Sequence, residues 1–115
     1  MPKTVCVDFD GVLNLYTGWQ GENELFEPRP GVGGFLSYLR NDLGYRVVIH
    51  TTREAGAVWS WLIQHMLGTY ITDVTSVKPP AEAYIDDRGI CFRGDYEATL
   101  QELEHFKPHW QTWGV

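Results

Sequence analysis

Hydrophobic and polar positions along this chain switch between two periods. Val5-Cys6-Val7 is a short continuous apolar run that ends in an acid, Asp8, the pattern of a central parallel strand buried on both faces. Residues 14–30 contain Gly18, Gly21, Pro28 and Pro30 and no helical period, which predicts a loop or small hairpin closed by Pro30-Gly31. Val32, Phe35, Leu36, Leu39 and Leu43 then recur at helical spacing, and Gly44 stops that helix as a C-cap would. Arg46-Val47-Val48-Ile49-His50 is a second strand ending at Thr51-Thr52. Ala55, Val58, Trp59, Leu62, Ile63, Met66 and Leu67 form an unbroken helical stripe that predicts a core-facing helix ended by Gly68. Tyr70-Ile71-Thr72 reads as a short third strand and Ala83-Tyr84-Ile85 as a fourth, which runs into Asp86-Asp87; Ile90-Cys91-Phe92 is a candidate fifth. Asp95 is placed to cap a last helix with Tyr96, Leu100, Leu103 and Phe106 on its buried side, ended by Pro108. The tail, 108–115, holds Trp110 and Trp113, which either pack back on the domain or mark a contact with another subunit.

Strands alternating with helices imply an α/β fold with a parallel sheet. The expectation is one Rossmann-like, three-layer α/β/α domain over 1–115, helices on both faces, with no repeats and no second domain.

Composition narrows the function classes. Hydrophobic residues make up 43% and charged residues 21% of the chain, an ordinary globular balance. The formal net charge of −6 disfavours non-specific binding to long nucleic acids or to an anionic membrane. It suits a carboxylate-built metal site and a small phosphorylated substrate held by a local cation. No apolar stretch reaches the roughly 18 residues of a membrane span, and no signal peptide is visible, so a cytoplasmic protein is expected. Cys6 and Cys91 lie in strand-like runs and read as buried free thiols.

The candidate chemistry collects at strand ends. In an open parallel sheet, ligands bind outside the carboxyl ends of the strands. The first strand ends at Asp8 and continues to Asp10, the second ends at Thr51, the fourth at Asp86-Asp87, and Lys78 lies in the loop entering the fourth. Several carboxylates in one place need a cation, and hard oxygen donors beside a phosphate suit Mg²⁺. With its charge compensated by Mg²⁺ and a lysine, a carboxylate can attack phosphorus and form an acyl phosphate, while a second carboxylate two residues on handles the proton.

From about residue 3 to 93 the sequence resembles the haloacid dehalogenase-like (HAD) superfamily. Val5-Cys6-Val7-Asp8-Phe9-Asp10-Gly11-Val12-Leu13 is similar to that family's apolar strand and Asp-x-Asp-Gly run. Val47-Val48-Ile49-His50-Thr51-Thr52-Arg53, Lys78 in Val77-Lys78-Pro79-Pro80-Ala81, and Tyr84-Ile85-Asp86-Asp87-Arg88 resemble its later motifs, in the right order. The resemblance implies Asp8 as nucleophile and metal ligand, and Asp10 as general acid/base and metal ligand through its backbone carbonyl. It implies Thr51 and Lys78 on phosphate, and Asp87 with Asp86 on Mg²⁺. The expected activity is hydrolysis of a phosphomonoester, on a small molecule or a phosphorylated polynucleotide end. The gaps between Asp10, Thr51 and Lys78 are too short for the cap domains of larger members, which leaves residues 14–27 as a flap over an open site.

Plainer readings stand beside these. Thr51 or Thr52 also suits a helix cap, and Lys78 an exposed loop position. His50 reads first as a packed core histidine. Arg53, Arg88 and Trp19 are candidate substrate contacts, with a salt bridge to the acids and a hydrophobic anchor as the alternatives. Other function classes consistent with the pattern are a phosphotransferase, a phosphoacceptor signalling domain and a catalytically silent Mg²⁺- or phosphate-binding module. The order of motifs, with Lys78 before the acid pair, argues against the signalling domain.

Overall fold

The structure is a computed structural model that describes residues 3–21, 23–86 and 94–105. The candidate fifth strand, Asp87, Arg88, Cys91, Phe106, Pro108, Trp110 and Trp113 lie outside the described residues.

Among the described residues, four strands form one parallel sheet in the order β3-β2-β1-β4: β1 (Thr4–Asp8), β2 (Arg46–His50), β3 (Asp73–Thr75) and β4 (Ala83–Ile85). With helices α1 (Val32–Ser37), α2 (Ala55–Gln64) and α3 (Tyr96–His105) this is a single-domain α/β Rossmann-like fold. Among the described residues, no helix is long and apolar enough to cross a membrane.

The pleat decides what each strand residue does. Side chains alternate between faces, and the register pairs Val5 with Val47 and Ala83, Val7 with Ile49 and Ile85, and Ile49 with Val74. These residues are buried together with Val32, Phe35 and Leu36 of α1, Val58, Trp61 and Leu62 of α2, and Leu103 of α3 in one hydrophobic cluster. The three described helices therefore share one face of the sheet. The alternate positions, Cys6, Val48 and Tyr84, belong to the opposite face, over which the irregular segment 76–82 is laid; the Tyr84 hydroxyl donates to the Pro79 carbonyl there. Helices were expected on both faces. Among the described residues the β3–β4 connection contains none, because 76–82 carries two prolines and no helical period.

Local differences from the sequence expectations have identifiable causes. The first helix leaves α geometry after Ser37: Tyr38–Asp42 is a π-helical stretch, with the Leu43 N–H reaching back to the Tyr38 carbonyl at 2.9 Å. The expected stripe on α2 is only partly buried. Trp61, outside the stripe, is buried, whereas Ile63 is 67% and Met66 84% exposed. Trp61 wins the inward position because its ring packs edge-on against Phe9 at 5.0 Å and its indole N–H donates to the Phe26 carbonyl at 2.8 Å.

The helix also ends four residues before Gly68. Leu67 N–H bonds the Leu62 carbonyl at 2.7 Å and Met66 N–H the Ile63 carbonyl at 3.1 Å, with Met66 in the left-handed region at φ 59°. That is a Schellman stop carrying methionine where glycine is usual. The chain then forms a 3₁₀ turn at Gly68–Tyr70, so β3 begins at Asp73, not at Tyr70. α3 begins as expected: the Asp95 carboxylate accepts from the Glu97 and Ala98 N–H groups at 3.0 and 3.2 Å.

Met66 combines a disfavoured backbone conformation with an exposed side chain. Met66→Gly is therefore expected to raise the unfolding free energy by about 0.5–1 kcal/mol, measured by denaturant titration. A loss of stability would show that the side chain is packed after all.

Candidate functional site

Asp8 is the last residue of β1, and the register places His50 opposite it on β2. The His50 Nδ1 lies 3.9 Å from Asp8 Oδ1. The sequence pattern predicts a packed core position for His50; the structure puts it beside Asp8 on the sheet face away from the helices. The signal was present in the pattern, since the last residues of two paired parallel strands share a face, but it requires knowing the register.

On the other side of β1, Asp86 directly follows β4, one position beyond the Val7–Ile85 pair. Lys78, from the segment 76–82, forms an ion pair with the Asp86 carboxylate and lies 5.6 Å from the centre of the Tyr84 ring. The crossover from β3 thus delivers Lys78 to the strand ends. The Asp8 carboxyl is shifted upward. Burial is the main cause; the positive charge that His50 can carry opposes it, Asp86 adds to it, and the Phe9 N–H and Lys78 oppose it. Cys6, one pleat below, is a buried free thiol whose pKa burial raises to about 11.

Thr51 is buried at the end of β2. Its N–H bonds the Thr75 carbonyl at 3.0 Å and its Oγ1 accepts from the Arg53 N–H at 3.1 Å. It does not cap α2. That role falls to Glu54, whose carboxylate accepts from Gly56 and Ala57 N–H at 3.0 and 2.7 Å.

Asp10 belongs to a second cluster. Arg53 Nε lies 3.1 Å from its Oδ1 and 3.0 Å from its Oδ2, with the Arg53 side chain only 3% exposed. Asn14 Nδ2 donates to the same Oδ1 at 3.1 Å and to the Leu25 carbonyl at 2.9 Å, while Asn14 Oδ1 accepts from Gly11 N–H at 2.8 Å. Asn14 is fully buried and was not singled out from the sequence; a lone asparagine in a loop carries no pattern. It locks the turn after β1, where Gly11 sits at φ 83°, to the loop 14–28. Arg29 adds a bond from Nη2 to the Gly11 carbonyl at 3.0 Å. The loop itself is a small hairpin, with Asn14 bridged to Pro28 and Leu15 N–H bonded to the Glu27 carbonyl at 2.9 Å. Trp19, on this loop, covers the Arg53 guanidinium at 5.0 Å.

The structure thus brings Asp8, Asp86 and Lys78 together with His50, sets Thr51 next to His50, and links Asp10 to Arg53 and Trp19. Asp87 and Arg88 lie outside the described residues. Among the described residues, no group of three or more His, Cys, Asp or Glu is arranged to hold a metal ion.

No protein-family model matches the chain, and no curated protein matches it. The chain is similar to a solved structure described as a conserved protein coded by a locus from Bacteroides thetaiotaomicron. The TM-score is 0.68 at 20% identity, over 98% of each chain. At that identity the likeness is one of fold.

Two outcomes test the site's energetics. Asn14→Ala strands the partly buried Gly11 N–H and Leu25 carbonyl, and is expected to cost about 1–3 kcal/mol of stability; chemical denaturation checks this, and a neutral effect would contradict the assigned bonds. Asp8 has a raised pKa in the fold, so its proton is held more tightly in the folded than in the unfolded chain. Its contribution is fully present below the ordinary carboxylate value and is lost as pH rises through the folded pKa. In EDTA, Asp8→Asn is therefore expected to melt above wild type at pH 7, with the difference closing below about pH 4. A wild type that melts higher at pH 7 would reverse the sign.

Proposed function

We propose that this protein is a Mg²⁺-dependent phosphomonoester hydrolase of the haloacid dehalogenase-like type, acting through an aspartyl phosphate on Asp8. The observation that carries the reading is the convergence of Asp8, Asp86 and Lys78 on neighbouring strand ends, in a chain whose motif order resembles that superfamily.

Asp8 is the attacking group. Partial burial raises its proton affinity, which makes its oxygen the more nucleophilic. Asp8 and Asp86 are hard oxygen donors close enough for one charge to oppose the other. Mg²⁺ commonly takes one or two carboxylates and keeps waters, so this pair, with the Asp10 backbone carbonyl and Asp87 that the resemblance adds, fits it. The ion would compensate charge as carboxylate and phosphate approach.

In the first half-reaction an Asp8 oxygen bonds to phosphorus and the ester P–O bond breaks. The leaving oxygen takes the electron pair and a proton from Asp10. In the second, water attacks the acyl phosphate, Asp10 accepts its proton, and the Asp8–phosphorus bond breaks to release inorganic phosphate. Lys78 and Thr51 hold phosphate oxygens. Asp10 can serve while held by Arg53 and Asn14. A carboxylate has about four acceptor sites, and the three contacts to Arg53 and Asn14 leave one on Oδ2.

Hydrolysis of a panel of phosphomonoesters, including an aryl phosphate and phosphorylated polynucleotide ends, is expected to require Mg²⁺. It is expected to fall by at least about a thousandfold in Asp8→Asn. Absence of Mg²⁺- and Asp8-dependent turnover across the panel overturns the reading. A stable aspartyl phosphate without turnover replaces it with a phosphoacceptor function.

A further inference from the structure

Among the described residues near the site, Arg53 is the least satisfied polar group. Its Nε is spent on Asp10. Its Nη1 and Nη2 are buried and have no hydrogen-bond partner among the described residues. Unmet buried donors are costly, and the Phe9 and Trp19 rings, 6.0 and 5.0 Å from the guanidinium carbon, offset only part of that. Trp19, in turn, is a large aromatic held 60% exposed. The two residues line a cavity of about 230 Å³ with Asn23, Thr52, Glu54 and Ala57.

We propose that this cavity is the leaving-group subsite, and that it takes a flat, uncharged group with two hydrogen-bond acceptors in its plane, the chemistry of a nucleobase edge. The role as a leaving-group subsite rests on the hydrolase reading above. The recognition chemistry rests on the cavity's own geometry.

Four features select that chemistry. The paired Nη atoms form a fork that matches two acceptors in one plane. The Trp19 face offers a stacking platform, worth about 1–3 kcal/mol per base. The Asp10 carboxylate pairs with Arg53 and Glu54 lines the same cavity, which disfavours a second anion. The volume, below the roughly 300 Å³ at which sites for drug-sized ligands begin, suits one ring system. The Nη atoms are covered in the free protein, so the ligand edge reaches them only if the cavity wall shifts; Trp19 belongs to that wall and lies 5.0 Å from the guanidinium.

The test compares kcat/KM for nucleoside monophosphates of the four common bases, phenyl phosphate and glycerol phosphate. Trp19→Ala is expected to lower the ratio of nucleoside monophosphate to glycerol phosphate about tenfold or more for the preferred base. Arg53→Lys keeps a cation beside Asp10 but loses the fork, and is expected to lower the ratio of nucleoside monophosphate to phenyl phosphate similarly. In parallel, binding of the free nucleosides is followed by saturation-transfer NMR in wild type and Trp19→Ala. Nucleoside binding that is lost in Trp19→Ala upholds the subsite even if no ester is hydrolysed, in which case the hydrolase reading falls alone. Unchanged ratios, or no nucleoside binding at millimolar concentration, overturn the subsite; continued hydrolysis of glycerol phosphate then leaves the hydrolase reading intact.

Discussion

The pleat of β1 is the constraint on which the rest of the structure depends. Val5 and Val7 must be buried under the helices, and their pairing with Val47, Ile49, Ala83 and Ile85 fixes the neighbouring strands. That same alternation sends Cys6 and Asp8 to the opposite face. A slip of one residue would exchange the two sets, placing a carboxylate under the helices and two valines beside Lys78. Core burial and the position of the candidate nucleophile are one and the same choice of register.

The turn after β1 performs the second half of this arrangement. Phe9 continues the buried set and packs against Trp61, so the backbone must dip into the core and return within a few residues. Gly11, in the left-handed region, and the buried Asn14 make that return. Asp10 is left between them, where Arg53 reaches it from the loop after β2. The two acids of the Asp-Phe-Asp run therefore occupy different environments: Asp8 is governed by burial and by neighbouring strand ends, Asp10 by a buried guanidinium and an amide. In the proposed mechanism, two carboxylates two residues apart carry different tasks because their surroundings differ.

Much of this was legible in the sequence where the local signal was unambiguous. β2 and β4 fall on the expected residues because each is a dense apolar run ending at polar groups. Asp95 caps α3 because a capping residue ahead of a periodic stretch is a local signature. The failures share a different cause. Trp59 and Trp61 are equally apolar, and only the contacts of Trp61 with Phe9 and with the Phe26 carbonyl decide which turns inward. The end of α2 was displaced because methionine occupies the left-handed position that glycine usually marks. His50 and Asn14 gained meaning only from their neighbours across the sheet and the hairpin. Local chemistry was readable, and so was the gathering of strand ends that a parallel sheet implies; individual side-chain contacts between distant segments were not.

The hairpin at 14–28 carries a consequence for how this fold diversifies. It is fastened near its ends, by the Asn14–Pro28 bridge, the Asn14 bonds and the Trp61 indole on the Phe26 carbonyl. Among its described residues the stretch between, which includes Trp19, contributes nothing to the sheet. Insertions and exchanges there leave the β1 register untouched, and loops of this kind are where variation is best tolerated. In the proposed reading, the architecture separates the strand-end carboxylates from the loop that meets the leaving group. A change of specificity then need not re-solve how the chain folds.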